Sequence, residues 1–338
     1  MKRLIPLLSV ILLLNACEQK LPEFEDYEYT AVYFPHQYPI RTLSLGEEEY
    51  DNSLDQELKF HIAPNIGGMY TNTESWTVDF EVVDTLAHHI ENVGGDTILP
   101  LPSSYYSLTP VDQVVIPPGS FKGMIEVQLT EAFLQDTLAY GNHYVIPLRI
   151  TGTSADSILR GLPSGGNLNP DPRRASDWSI PPKDFVLFGI KYVNPYHGTY
   201  LHRGMDIMYD DNNDPVDTVI YREIYIVDDE LWKLSTRGTD VIHTDGIANY
   251  RGGVYKMELT FSESGEIVVD SIPGSTFAPT GTGTYVKDGS TWGGKPRDAI
   301  YLTYSFTQGD TLTHVVNDTL VYRNRGIRFE TLTPVFSY

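Results

Sequence analysis

The chain of 338 residues contains one cysteine, Cys17. It can therefore form no internal disulfide and no thiolate metal cluster. Basic residues are also scarce, with 24 Lys and Arg against 45 Asp and Glu and a net charge of −21. That balance excludes a nucleic-acid binder, because neutralising phosphates needs an excess of Lys and Arg. No long amphipathic helical pattern occurs, and only residues 131–136 read as a helical turn. No Gly-x-Ser-x-Gly elbow, His-Glu-x-x-His pair or phosphate loop is present. What the chain does have is 23 Tyr, 28 Gly and 22 Pro, a composition of strands and turns. A hydrophobic share of 41% excludes wholesale disorder, and the length suggests about two domains.

The N-terminus reads as an address. Met1, Lys2 and Arg3 form a short basic region, followed by an apolar run over residues 4–14. That run falls short of the ~20 apolar residues a bilayer span needs and fits the core of a secretory signal. Leu14-Asn15-Ala16-Cys17 then reads as a lipobox, in which the Cys17 thiol takes a diacylglyceryl group and becomes the new N-terminus. Removing residues 1–16 leaves 22 basic and 45 acidic residues, a net charge of −23. Residues 17–28 are acidic, lack apolar periodicity and read as an extended tether.

The rest of the chain is strand-like. Short β-branched or aromatic runs occupy 29–35, 56–63, 76–84, 123–130 and 143–151. Trp76, Val78, Phe80 and Val82 alternate onto one face. Turn clusters such as Pro64-Asn-Ile-Gly-Gly and Pro117-Pro-Gly-Ser separate these runs. The pattern dissolves between 152 and 184, which we read as a long excursion inside the first domain. The strand at 185–193 then finds its partner in 143–151, and the boundary falls at Asn194-Pro195. The expected organisation is a signal peptide at 1–16, a tether at 17–28, an immunoglobulin-like β-sandwich at 29–193 and a second β domain at 194–338. In that second domain, successive strands joined by tight turns predict an antiparallel meander. It closes into a lipocalin-like barrel of about eight strands, with a second sandwich as the alternative.

Several of these features resemble a known module. The lipobox, the early Ala31-Val-Tyr-Phe-Pro strand and His143-Tyr-Val-Ile-Pro-Leu-Arg-Ile-Thr before Lys191-Tyr-Val-Asn-Pro are similar to a Bacteroidetes lipoprotein module. That module is an immunoglobulin-like domain of unknown function from polysaccharide-utilisation loci. It also precedes chitinase-like endo-β-N-acetylglucosaminidases. The second half, from Asn194-Pro-Tyr-His-Gly-Thr-Tyr to Tyr322-Arg-Asn-Arg-Gly, resembles the C-terminal domain of its non-catalytic members. The acidic tether resembles the surface-export signal of such lipoproteins. The resemblance implies a lipid-anchored protein of the outer membrane, facing the exterior. There it would bind polysaccharide or oligosaccharide beside a SusC/SusD-like importer, with no membrane contact beyond the anchor.

The search for chemistry supports binding over turnover. The alternating acidic motif of chitinase-like enzymes is absent, although a glycoside hydrolase needs only two carboxylates at the correct separation. Residues 210–217 alternate oxygen ligands like a calcium loop, but Pro215 and Tyr221 stand where such a loop has Gly and Glu, so a hairpin turn is expected. His88 with His89, and His197 with His202, have spacings that point to opposite strand faces. Neither a metal nor another cofactor is expected.

Sugar recognition needs flat apolar faces with planar polar side chains beside them. Trp292 with Lys295, Arg297 and Asp298 offers this in a Gly-rich loop, and Trp178 offers it beside Arg173 and Arg174. Trp232 reads either as packing inside the second domain or as a further contact. The expected function is thus a non-catalytic glycan-binding lipoprotein. A hydrolase of unrecognised type and a structural partner of the import complex are the alternatives.

Overall fold

The structure is a computed structural model that describes residues 27, 29–166, 168–309 and 311–336. The expected leader, Cys17 and all of the tether except Tyr27 lie outside the described residues. With 51% strand and 6% helix the chain is all-β. Among the described residues, helix is limited to single turns such as Ser53–Gln56 and Glu131–Leu134.

The first unit is built on two facing sheets. Phe185–Val193 pairs antiparallel with Tyr144–Thr153, from Tyr144 opposite Ile190 to Arg149 opposite Phe185. Its other edge runs parallel to Pro39–Ser44. Beyond Tyr144–Thr153 lie Trp76–Val82 and Gln113–Ile116. The facing sheet is Lys59–Ile62, Ile125–Leu129 and Tyr106–Thr109. Alternation along each strand sends every second side chain inward. Phe60, Ile62, Ile125 and Val127 therefore meet Val78, Phe80, Ile146 and Leu148 in one buried core. The stacked rings of Phe60 and Phe188, 5.4 Å apart, bridge the two layers. Trp76 is half-buried against this core and donates its indole N–H to Asn72 Oδ1 at 2.9 Å. Val82, expected on the same inward face, is exposed at the strand's end. Part of the 152–184 excursion stays with the first unit, where Ser157–Ile158 pairs with Ala31 and Val32.

From Gly198 the chain forms an eight-stranded antiparallel barrel. Its strands are Gly198–Tyr209, Glu230–Thr236, Val241–His243, Met257–Phe261, Glu266–Ser271, Thr280–Trp292, Lys295–Gln308 and Leu312–Asn324. The last closes onto the first over eleven paired positions, Thr199 to Tyr209. Pro215–Tyr221 extends the first strand's free edge. Two glycines permit the wall to curve closely: a Cβ at Gly281 would lie 2.3 Å from Thr303 O, and one at Gly283 2.5 Å from Tyr301 O. Tyr200, Trp232, Leu234, Leu259, Ile300 and Leu320 are buried inside the barrel.

The chain then leaves the barrel. Glu330–Thr331 pairs with Pro39 and Ile40, and Pro334–Phe336 pairs with Ile90–Asn92. The C-terminal segment therefore straps the sandwich, although the sequence suggested that it stays with the second unit. Among the described residues no helix is long and apolar enough to cross a membrane.

Candidate functional site

The strap builds a groove. Because Ile40 stands opposite Glu330, residues 327–329 are carried across the start of Pro39–Ser44. Lys191 secures the crossing with an ion pair to Glu330 at 2.9 Å. The result is a cleft of about 550 Å³. Phe34, Ile40, Ile62, Val186 and Phe188 line it from the sandwich, and Ile327, Arg328 and Phe329 from the strap. Two aromatic side chains stand open in it, Tyr50 at 52% and Phe329 at 67% exposure. The His36 ring leans against Phe329, with centroids 5.7 Å apart.

The polar rim is held in place by its neighbours. The Arg41 guanidinium is paired with the buried Asp55 carboxylate, which also accepts the Ser44 N–H at 3.0 Å. The loop leading to Tyr50 is pinned by Asn52, whose amide donates to Ser44 O and Gly46 O at 2.9 and 2.7 Å. Burial, followed by the nearby Glu48 and Asp55 carboxylates, raises the Tyr50 phenol above its ordinary pKa. It therefore stays a neutral hydroxyl, able to donate and accept.

Tyr50 also borders a second cleft of about 500 Å³, between the loop at 47–49 and the barrel. Arg325 spans it, donating to Glu48 Oε1 at 3.1 Å, to His197 O at 2.9 Å and to Pro195 O. Both members of the Arg325–Glu48 pair are only 8% exposed. Gly46 makes room for this guanidinium, since a Cβ there would sit 2.0 Å from Arg325 Nη2. Lys287 and Lys295 add exposed ion pairs to Glu47 and Glu49 at 2.8 and 3.5 Å.

The sequence-predicted residues fall in three places. Arg297 and Asp298 line the second cleft, while Trp292 stands half-buried beside them. The Arg297 guanidinium lies 4.5 Å from the Trp292 ring centroid, and the indole N–H donates to Tyr322 O at 2.9 Å. Asp298 accepts from the Tyr285 hydroxyl at 2.6 Å and the Asp288 N–H at 3.0 Å, and Lys295 reaches Glu49. The loop does bring the four together, but each is engaged by the protein itself. Trp178 lies apart, in the excursion, with its N–H on Asp171 O at 2.7 Å. Trp232 is wholly buried inside the barrel and stacks on His202 at 3.9 Å, so it offers no surface to a glycan. That outcome corrects the binding reading of Trp232: its strand position turns it inward.

The barrel also hides a polar network that the sequence reading missed. His202 Nε2 lies 3.1 Å from Asp318 Oδ1, and His314 Nδ1 lies 2.7 Å from Asp206 Oδ2. Both pairs run diagonally across the same ladder, in which Gly204 faces Asp318 and Met208 faces His314. The Tyr221 and Tyr304 hydroxyls both donate to the Asp318 carboxylate. Burial and the Asp318 charge hold both phenols well above their ordinary pKa. Gly204 is required here, because a Cβ would lie 2.2 Å from Asp318 Oδ1. The signal was available as His202 with Asp206 and His314 with Asp318, each four apart on one strand face, but register alone joins them. In the 210–217 turn, Asp210 accepts the N–H groups of Asn212 and Asp214 at 2.9 and 3.0 Å, closing a hairpin.

Comparisons with known proteins follow this two-part build. A family model described as an N-terminal domain matches residues 26–157, and the domain of unknown function DUF5627 matches residues 195–326. No curated protein matches the chain. A crystal structure from Bacteroides thetaiotaomicron, described as an auxiliary nutrient binding protein, is 12% identical over 83% of this chain and 90% of that one. Its TM-score is 0.38, a likeness too slight to inform either fold or function. A protein of unknown function from Bacteroides ovatus is 36% identical and superposes with a TM-score of 0.82, covering 92% of this chain and 100% of its own. The chain belongs to the same family as that Bacteroides ovatus protein.

Proposed function

We propose that this protein is a non-catalytic glycan-binding lipoprotein that holds a saccharide in the groove between the sandwich and the C-terminal strap. The observation that carries this reading is the pair of open aromatic rings, Tyr50 and Phe329, in a concave site with planar polar groups around it. Pyranose rings present flat C–H faces that cover such rings and hydroxyls that meet Arg41, Asn65 and the Tyr50 phenol. Cleaving a glycosidic bond needs two carboxylates flanking it. The described residues lining the groove include neither Asp nor Glu, which supports holding over cutting. Anchoring through Cys17 at the outer membrane, facing outward beside a SusC/SusD-like importer, completes the proposal. Its warrant is the lipobox and the acidic tether.

The test is a glycan array probed with the chain from residue 17 onward, followed by a reducing-end assay on each hit. Binding without release of new reducing ends is the expected result. Release of product from a bound glycan would replace the proposal with hydrolysis, and an array without hits would remove it.

A further inference from the structure

We infer that the ligand of this groove is an anionic glycan, one carrying carboxylate or sulfate groups. The inference rests on the glycan-binding reading and narrows its substrate class. Its basis is an inversion of charge. The chain carries nearly two acidic residues for each basic one, yet the described residues lining the groove include Arg41, Lys122 and Arg328 and no carboxylate. His36 and His61 add two imidazoles to the same lining.

The three cations are not equivalent. Arg41 already shares its charge with the buried Asp55, yet its side chain remains 42% exposed. Lys122 and Arg328 are exposed, and neither makes an ion pair with any described residue. They enter from opposite walls: Lys122 precedes the sandwich strand Ile125–Leu129, and Arg328 belongs to the strap. Two uncompensated cations across an apolar floor fit a chain whose sugar faces lie on Tyr50 and Phe329 and whose acidic groups project to the rim. Elsewhere on the junction, three cations are matched by acids, Lys287 by Glu47, Lys295 by Glu49 and Arg325 by Glu48. A neutral glycan would leave the Lys122 and Arg328 charges unmatched. An acidic one forms charge-assisted hydrogen bonds with them.

The experiment titrates the chain from residue 17 onward with oligogalacturonides, their methyl esters, sulfated galactan oligosaccharides, the desulfated galactans, and neutral cello- and manno-oligosaccharides. At least one acidic series should bind ten-fold or more tightly than its neutralised counterpart. That preference should shrink as salt rises from about 50 to 500 mM. Lys122→Gln combined with Arg328→Gln should erase it, with an unchanged melting temperature. The oligogalacturonide and galactan arms separate carboxylate from sulfate as the recognised group. Equal affinity for an acid and its neutralised form, or an acid preference that survives the double substitution, would overturn the inference. If neutral glycans bind and Phe329→Ala weakens that binding about ten-fold, the groove reading stands and only its anionic character falls. No binding of any series removes both.

Discussion

Removing Arg325 should loosen the junction that shapes the groove. Its guanidinium is bonded to Glu48, to His197 O and to Pro195 O, with both charged side chains 8% exposed. Arg325→Met keeps most of the side-chain bulk but leaves the Glu48 carboxylate buried without its partner. Breaking a buried pair in this way costs about 3–5 kcal/mol. At about 2–4 °C per kcal/mol, the melting temperature should fall by about 10 °C. The strap begins at the next residue, so glycan affinity should fall as well. Thermal unfolding followed by circular dichroism, for wild type, Arg325→Met, Glu48→Gln and Arg325→Met with Glu48→Leu, gives the test. The double variant should recover part of the loss, because no charge is then stranded. A melting temperature for Arg325→Met within about 4 °C of wild type would refute the reasoning, since a surface pair, worth at most about 1 kcal/mol, gives that much. Gly46→Ala, which pushes against the same guanidinium, should move the melting temperature in the same direction.

Trp232→Ala should cost about 3–5 kcal/mol of stability, read as a lower melting temperature, while groove affinity at a temperature where the variant is folded stays unchanged. Burial, aided by the Lys233 and Arg325 charges, holds the His197 imidazole down at about 4 against its ordinary 6.5. The unfolded chain then binds a proton below 6.5 that the native state refuses, so stability falls as pH drops from 6.5 to 4. The loss is about 3 kcal/mol at 1.36 kcal/mol per pH unit. His197→Gln should flatten that part of the stability curve, and parallel curves for variant and wild type would contradict it. Cys17→Ser should move the protein out of the membrane fraction, and a variant that remains as firmly bound would end the lipoprotein proposal.

The strands were largely legible because their periodicity is local. Tyr144–Thr153 and Phe185–Val193 carry enough β-branched and aromatic side chains to name each other as partners. The meander of the second half was legible strand by strand, since successive strands there pair with near neighbours in sequence. The groove was not legible, for a physical reason. It joins residues near 36–50 to residues 327–329 through a strand of two residues, Glu330–Thr331, too short to leave a pattern. Tyr50 and Phe329 carry no periodic mark and look like ordinary loop aromatics. The tryptophans misled in the opposite way. Indole suggests stacking, yet Trp232 points inward on its strand and Trp292 is engaged by Arg297 and Tyr322. The His202–Asp318 and Asp206–His314 diagonals needed a register that only the closed barrel supplies.

The most direct test compares Phe329→Ala with Trp292→Ala by calorimetric titration of a confirmed glycan. A sugar face covering about 60 Å² of the Phe329 ring is worth ~1.5 kcal/mol at ~25 cal/mol per Å². Phe329→Ala should therefore weaken binding about ten-fold, at 1.4 kcal/mol per decade. Trp292→Ala should leave affinity within a factor of about two, because its ring is engaged by the protein. Retained affinity in Phe329→Ala together with a ten-fold loss in Trp292→Ala would contradict the account and place the sugar on the barrel hairpin.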